Sequence, residues 1–311
     1  MIWLCIIKEL IVNCSHHHSH LVFQATWAAI SVAFCLVATK TLAWWLSGSL
    51  TIQASLLDSL SDFFSSLINF LAVRYSSKPA NEEYRFGHGK AEALAGFVQS
   101  LLIIASTGWM VYHAYQHHNM LHHIEHHSLA LMVMVFSTIL TLGLVVFQYY
   151  TIKHTNSIVI KADFLHYQAD ILSNIAAIIA LLSLTWFGIA WIDIVFGVGI
   201  AMFLLVGSWH ILKQSSNVLM DKELEYSIRQ DILKCILEHP KVLEAHDLRT
   251  RNAGQQNFIQ VHITLDPSLP LKQAHIISDE VEIRLKKSHP SAEILIHLDP
   301  LGYKSLSGAS L

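Results

Sequence analysis

The stretch Lys161-Ala-Asp-Phe-Leu-His-Tyr-Gln-Ala-Asp170 sets His166 and Asp170 four residues apart at the mouth of a long apolar run. On a helix that spacing puts both side chains on one face. A second pair with the same spacing, Asp58 and Asp62, lies in Leu57-Asp-Ser-Leu-Ser-Asp62 inside another apolar run. An ionisable residue within a membrane span costs roughly 2.5–3.5 kcal/mol on insertion scales, so it normally faces a polar cavity or a partner. Three carboxylates and one imidazole form an N/O donor set suited to tetrahedral binding of a divalent ion of the Zn²⁺ type, with hard oxygens keeping affinity low enough for release. The ligands bind only when deprotonated, so metal arrival expels protons and protonation expels metal. That is the coupling a proton/metal antiporter needs. The bland alternative, groups that merely bond between helices, fits one isolated Asp better than two matched pairs in separate runs. Asp163, one turn before His166, reads as an entrance or capping residue, with direct ligation as the other possibility.

These residues need a membrane-spanning frame, and the composition supplies one. The chain has 311 residues, 53% hydrophobic and 14% charged, against about 25% charged in ordinary soluble domains. Apolar runs long enough to cross a bilayer recur. Six spans are expected near residues 21–45, 49–73, 91–115, 128–150, 163–187 and 190–212. The connections after the second and fourth carry Arg74, Lys78, Arg85 and Lys90, then Lys153 and Lys161; those after the first, third and fifth carry no Lys or Arg. The positive-inside rule therefore places both termini in the cytoplasm. Residues 1–20 are too short an apolar stretch to span and end in a cluster of histidines; no structure is assigned to them. Residues 21–212 form the expected transport domain and 213–311 a soluble domain.

In that soluble part, an amphipathic helix is expected over 221–238, a strand over 242–250, an alternating strand over 257–265, a helix over 271–287 and a strand over 292–298. The order αββαβ predicts a small ferredoxin-like α+β sandwich with its helices on one face. The fold class is thus an α-helical membrane protein of six transmembrane helices with a C-terminal cytoplasmic α+β domain. The net charge of −3 and the lack of a basic block give no sign of nucleic-acid binding. Cys5, Cys14, Cys35 and Cys235 are scattered and imply no disulfide framework.

Ala162-Asp-Phe-Leu-His-Tyr-Gln-Ala-Asp170, with Gly48-Ser-Leu50 leading to Asp58-Ser-Leu-Ser-Asp62, resembles the cation diffusion facilitator family. Phe86-Gly-His-Gly-Lys-Ala-Glu92 and His246-Asp-Leu-Arg-Thr-Arg251 resemble its bacterial ferrous-iron/zinc efflux branch. The likeness covers residues 21–300. It implies a homodimer in the bacterial inner membrane, alternating access, and proton-driven export of Zn²⁺, Fe²⁺ or Cd²⁺. It carries the transport-ligand role onto Asp58, Asp62, His166 and Asp170, and one His among three Asp resembles the zinc-, cadmium- and iron-handling members rather than the manganese-handling ones. In the soluble domain it implies a two-metal regulatory site, with His246, His262 and Asp299 holding one ion and His275, His297 and the same Asp299 the other. Lys90 and Asp221 match a charge pair near the family's dimer contact. The loop 78–90 departs from the pattern: His88 remains, but Asn81 and Tyr84 stand where two further ligands of a peripheral site are expected, so only weak binding is expected there.

The connector 117–127 carries His117, His118, His122, His123, His126 and His127 with Glu125. By the topology above it faces outward, where it suits weak, pH-dependent capture of exported metal. A membrane metallohydrolase would need a substrate pocket and a general base outside the ligand set, and no motif supplies either. A membrane metal sensor would work through the soluble domain and tolerate loss of Asp58 or Asp170. Six spans enclosing a ligand set favour a transporter over an enzyme.

Overall fold

The computed structural model describes residues 2–47, 50–116, 127–187, 191–254 and 256–302. The histidine-rich connector 117–126 and the side chains of residues 1–20 lie outside the described residues, as do the connections at 48–49 and 188–190. Six long helices come first: α1 (Ile2–Ser47), α2 (Leu50–Ser76), α3 (Lys90–Gln116), α4 (His127–Thr155), α5 (Ile158–Phe187) and α6 (Trp191–Leu219). Five contain stretches long and apolar enough to cross a membrane, namely Leu21–Leu46, Ser55–Ser76, Lys90–Tyr112, Met132–Thr155 and Val195–Leu219. With its 30 residues, α5 is the remaining long helix and carries His166 and Asp170. A helix is what these runs must form, because no water in the hydrocarbon layer can satisfy an open backbone N–H or C=O.

Small residues let α1 approach its neighbours. Ala25, Ala29 and Ala33 repeat at every fourth position with at most 1% exposure, the kind of stripe that permits close helix contact in lipid. Val22 and Ala25 pack with Val73 of α2 and with Val159 and Ile160 of α5, while Ala29 meets Leu144 of α4 and Tyr167 of α5. Large apolar side chains such as Phe34, Phe64, Leu102, Trp109, Ile139, Val146, Val206 and Trp209 remain exposed, as lipid-facing residues should.

The start of α5 differs from expectation. A span beginning at 163 follows from the interruption at Lys161, but the helix begins at Ile158. Glu92 of α3 explains this. Its buried carboxylate accepts from the Ser157 hydroxyl and, at 3.1 Å, from the Ile158 backbone N–H, a donor that a helix start leaves without an internal partner. Two residues earlier the chain reverses at Asn156, whose φ of 58° ends α4 in the left-handed conformation. Glu92→Ala should therefore cost on the order of 2 kcal/mol by stranding both donors. A lower unfolding temperature in detergent with Ser157→Ala only partly additive to it is the expected result; full additivity would mean that the two do not act together.

From His16 onward the chain divides between Ser216 and Asn217 into two compact units. The C-terminal one contains α7 (Tyr226–Leu237), β1 (Glu244–Ala253), β2 (Gln256–Leu265), α8 (Leu271–Ser288) and β3 (Ala292–Pro300), the αββαβ order expected. The sheet runs β1-β2-β3, antiparallel between the first two and parallel between the last two. Ile259, Val261, Ile263 and Leu265 alternate onto one face of β2 and pack with Ile232 and Ile236 of α7 and Ile277, Val281 and Leu285 of α8. The even-numbered residues of β2 point to the other face, on which neither α7 nor α8 packs.

Under α7, buried His239 donates from Nε2 to Glu280 Oε2 of α8 at 2.8 Å. That hydrogen bond holds the Glu280 carboxyl below its usual range. A depressed carboxyl stabilises the fold fully above its unfolded pKa of about 4.3, and the contribution vanishes as pH falls through the lower folded value. Glu280→Gln should accordingly remove part of the acid sensitivity of the α7–α8 amides below that pH, read by hydrogen exchange on the whole protein. An unchanged acid profile would show that the bond does not matter.

Candidate metal centres

On α2, Asp58 and Asp62 follow one another by a turn, and on α5 His166 and Asp170 do the same. The helices bring three of these four together. His166 Nε2 lies 2.7 Å from Asp62 Oδ1 and 3.8 Å from Asp170 Oδ2, and one ligand atom from each of the three lies within 4.8 Å of the others. Asp58 is exposed and stands outside that group, though still within electrostatic reach of Asp62, Lys40 and His166.

Hydrogen bonds around α5 hold the set in place. Tyr167 OH pairs with Ser66 Oγ of α2 at 3.0 Å, and Asn174 Nδ2 donates to Thr138 Oγ1 of α4 at 3.0 Å. Asp163 is 2% exposed and receives Asn69 Nδ2 of α2 at 3.1 Å on one oxygen and Gln148 Nε2 of α4 at 2.6 Å on the other. Its place is therefore that of a tie across three helices, with both oxygens engaged, rather than a member of the gathered group. Sequence alone did not point to Asn69 or Gln148, and Glu92 entered only as the end of a family motif; the available signal was polar side chains within apolar runs.

The second cluster lies on the face of the sheet opposite α7 and α8. His246, His262 and His297 sit directly opposite one another across the three strands. Asp299 completes the group: its Oδ2 is 2.8 Å from His262 Nδ1 and 3.3 Å from His246 Nε2, and its Oδ1 is 3.4 Å from His297 Nε2. Both carboxylate oxygens thus face imidazole nitrogens, an arrangement able to bridge two ions. Asp247, unforeseen from the sequence, lies at φ 45° with its carboxylate 3.9 Å from His262 Nε2.

The expected companion His275 is not among the residues gathered there. It projects from α8, largely exposed, with Asp279 at 3.9 Å as its acidic neighbour. The physical reason is that α8 packs through Ile277, Val281 and Leu285 on the opposite face of the sheet.

His88 is 7% exposed, with its Nδ1 3.4 Å from the Lys78 carbonyl. Its ring lies 4.7 Å from that of Tyr75 and 4.6 Å from that of Tyr84. Aromatic neighbours, not further ligands, enclose it, and Asn81 instead caps the loop by accepting from the Glu83 and Tyr84 amides. Asp221 lies 3.4 Å from Arg251 within the C-terminal unit.

Residues 26–220 match the cation efflux transmembrane domain, and residues 224–301 the cation efflux protein cytoplasmic domain. The chain belongs to the cation efflux family. Among relatives of this efflux protein, the cation-efflux pump FieF of Klebsiella pneumoniae subsp. pneumoniae is 39% identical over 283 residues, covering 91% of this chain and 94% of the relative. FieF of Pectobacterium atrosepticum is 40% identical over 285 residues, covering 92% and 95%. A solved structure of the transporter CzrB in its zinc form is 31% identical and covers 27% of this chain and 98% of that one, with a TM-score of 0.26. The efflux protein is therefore a multi-pass cation transporter, and the two clusters fall one in each matched domain.

Proposed function

We propose that the protein exports a divalent cation, Zn²⁺, Fe²⁺ or Cd²⁺, from the cytoplasm in exchange for protons. The observation that carries this is the convergence of Asp62, His166 and Asp170 from two membrane-spanning helices, with Asp58 a turn away. Open to the cytoplasm, the deprotonated set takes a dehydrated ion; after the helices rock, protons arriving on His166 and the carboxylates displace it on the far side. The name of the FieF relatives, cation-efflux pump, supports export of a cation. Both termini lie in the cytoplasm on this reading, because the Lys and Arg residues gather on the even-numbered connections.

Proteoliposomes holding the purified protein, with a pH-sensitive dye inside, test the reading under an imposed pH gradient. Zn²⁺, Fe²⁺ or Cd²⁺ should drive proton flux well above Mn²⁺. Metal binding without flux would transfer the function to the C-terminal unit as a sensor.

The cluster of His246, His262, His297 and Asp299 is proposed as a regulatory metal site that ties two copies of this domain together in a homodimer. Its occupancy biases transport only through different affinities in the two conformational states. His262→Ala should raise the zinc concentration for half-maximal flux about threefold to tenfold and leave saturated flux intact, within the usual range of allosteric coupling. Unchanged zinc dependence would reduce the site to a structural one.

A further inference from the structure

Lys40 lies within the membrane-spanning stretch of α1 and is half-buried. Its Nζ donates to the Ser55 carbonyl at 3.1 Å and to Ser59 Oγ at 2.7 Å, both on α2. Ser55, Ser59 and Asp62 follow at spacings of four and three, so the ammonium is held on the helix face that carries Asp62. The carboxylates whose charges act on it are Asp62, Asp58 and Asp170. Asp163, with both oxygens already bonded to amides, is not among them. A lysine within a span ordinarily extends its head toward the interface. Lys40 turns instead to the neighbouring helix and the acidic group. Both of its hydrogen-bond acceptors are neutral, so they fix its position without cancelling its charge.

We propose that Lys40 is the fixed counter-charge of the transport site, matching its net charge to a divalent cation. The inference rests on the reading of Asp58, Asp62, His166 and Asp170 as transport ligands. Three carboxylates facing one ammonium leave two negative charges, which one divalent ion neutralises and a monovalent ion does not. The site loaded with one divalent ion is then neutral, so the loaded conformational leg does not work against the membrane potential. Without Lys40 the same carboxylates would bind the ion more tightly, release it more slowly, and carry a negative charge when loaded.

The test compares wild type, K40M and K40R as full-length protein in proteoliposomes, with zinc alone as the probe and the membrane potential clamped by a potassium gradient and valinomycin. K40M should show a KM for zinc lower by roughly tenfold, a reduced maximal flux, and a dependence on potential greater than that of wild type. K40R, which keeps the charge, should restore all three toward wild type. If K40M holds zinc too tightly to turn over, equilibrium dialysis of K40M against wild type, each with its D62A counterpart as the blank, should show the tightened binding directly. S59A, which removes a neutral acceptor but no charge, should leave KM within about twofold of wild type. Reduced flux with unchanged or raised KM, or K40R behaving as K40M, would make Lys40 a structural contact and overturn the proposal. Unaltered behaviour of K40M would do the same. Absence of zinc-driven proton flux in wild type would overturn the underlying transport reading as well, which separates the two failures.

Discussion

Replacing Asp62 with alanine is expected to abolish metal-driven proton flux while the protein remains folded and monodisperse. Asp62 supplies the close contact between the two helices of the site, 2.7 Å from His166 Nε2. Loss of a residue that only orients a metal ligand commonly costs 10- to 100-fold in affinity or activity, so loss of a ligand should cost roughly a hundredfold or more. Metal-stimulated flux in proteoliposomes, with orientation checked by protease accessibility, decides the matter. Flux within a few-fold of wild type would remove Asp62 from the ligand set. The companion variant His166→Asp should leave transport but shift it from zinc toward Mn²⁺, since oxygen donors replace the one nitrogen. Unchanged ion preference would mean that His166 is not a ligand.

Gly207→Val should also reduce transport by more than tenfold, although Gly207 touches no metal ligand. A Cβ at this position of α6 would meet Leu165 Cδ1 at 2.6 Å and Cδ2 at 2.8 Å. Leu165 is 7% exposed and immediately precedes His166 on α5. Overpacking a well-filled contact typically costs about 1–3 kcal/mol, and here the strain falls on the Leu165 side chain, next to His166 on the helix that carries two ligands. Gly199 lies on the same helix, and a Cβ there would meet nothing within 4 Å, so Gly199→Ala should be tolerated. The double variant Gly207→Ala/Leu165→Ala should recover flux lost in Gly207→Ala alone, because the two volumes compensate. Failure of that rescue would show that Gly207 acts through something other than its contact with Leu165.

Much of this molecule was legible before any fold was known. Apolar runs of membrane-spanning length, the paired spacings 58/62 and 166/170, and the αββαβ order are all properties of one element or of element sequence. Periodicity within a helix or strand depends only on local backbone geometry, so the sequence carries it directly. Lys40 is a charge within such a run, but nothing local identifies α2 as the helix that receives it.

Tertiary structure decided which of the candidate groups meet. It gathered Asp62, His166 and Asp170 and left Asp58 a turn outside, turned Asp163 into an interhelical tie, and used Glu92 to start α5 at Ile158. In the sheet, the register shifts between His246 and Arg249. Had the pairing from the Ala253–Gln256 end continued without that bulge, Asp247 would stand opposite His262; the extra residue brings His246 there instead. His275 illustrates the converse, a histidine of the right type on the helix layer that packs against the other face. Sequence by itself determined the elements, their membrane-spanning character and the residues able to bind metal. Only the tertiary structure decided their partners, because helix rotation and strand register are set by packing between elements far apart in the chain.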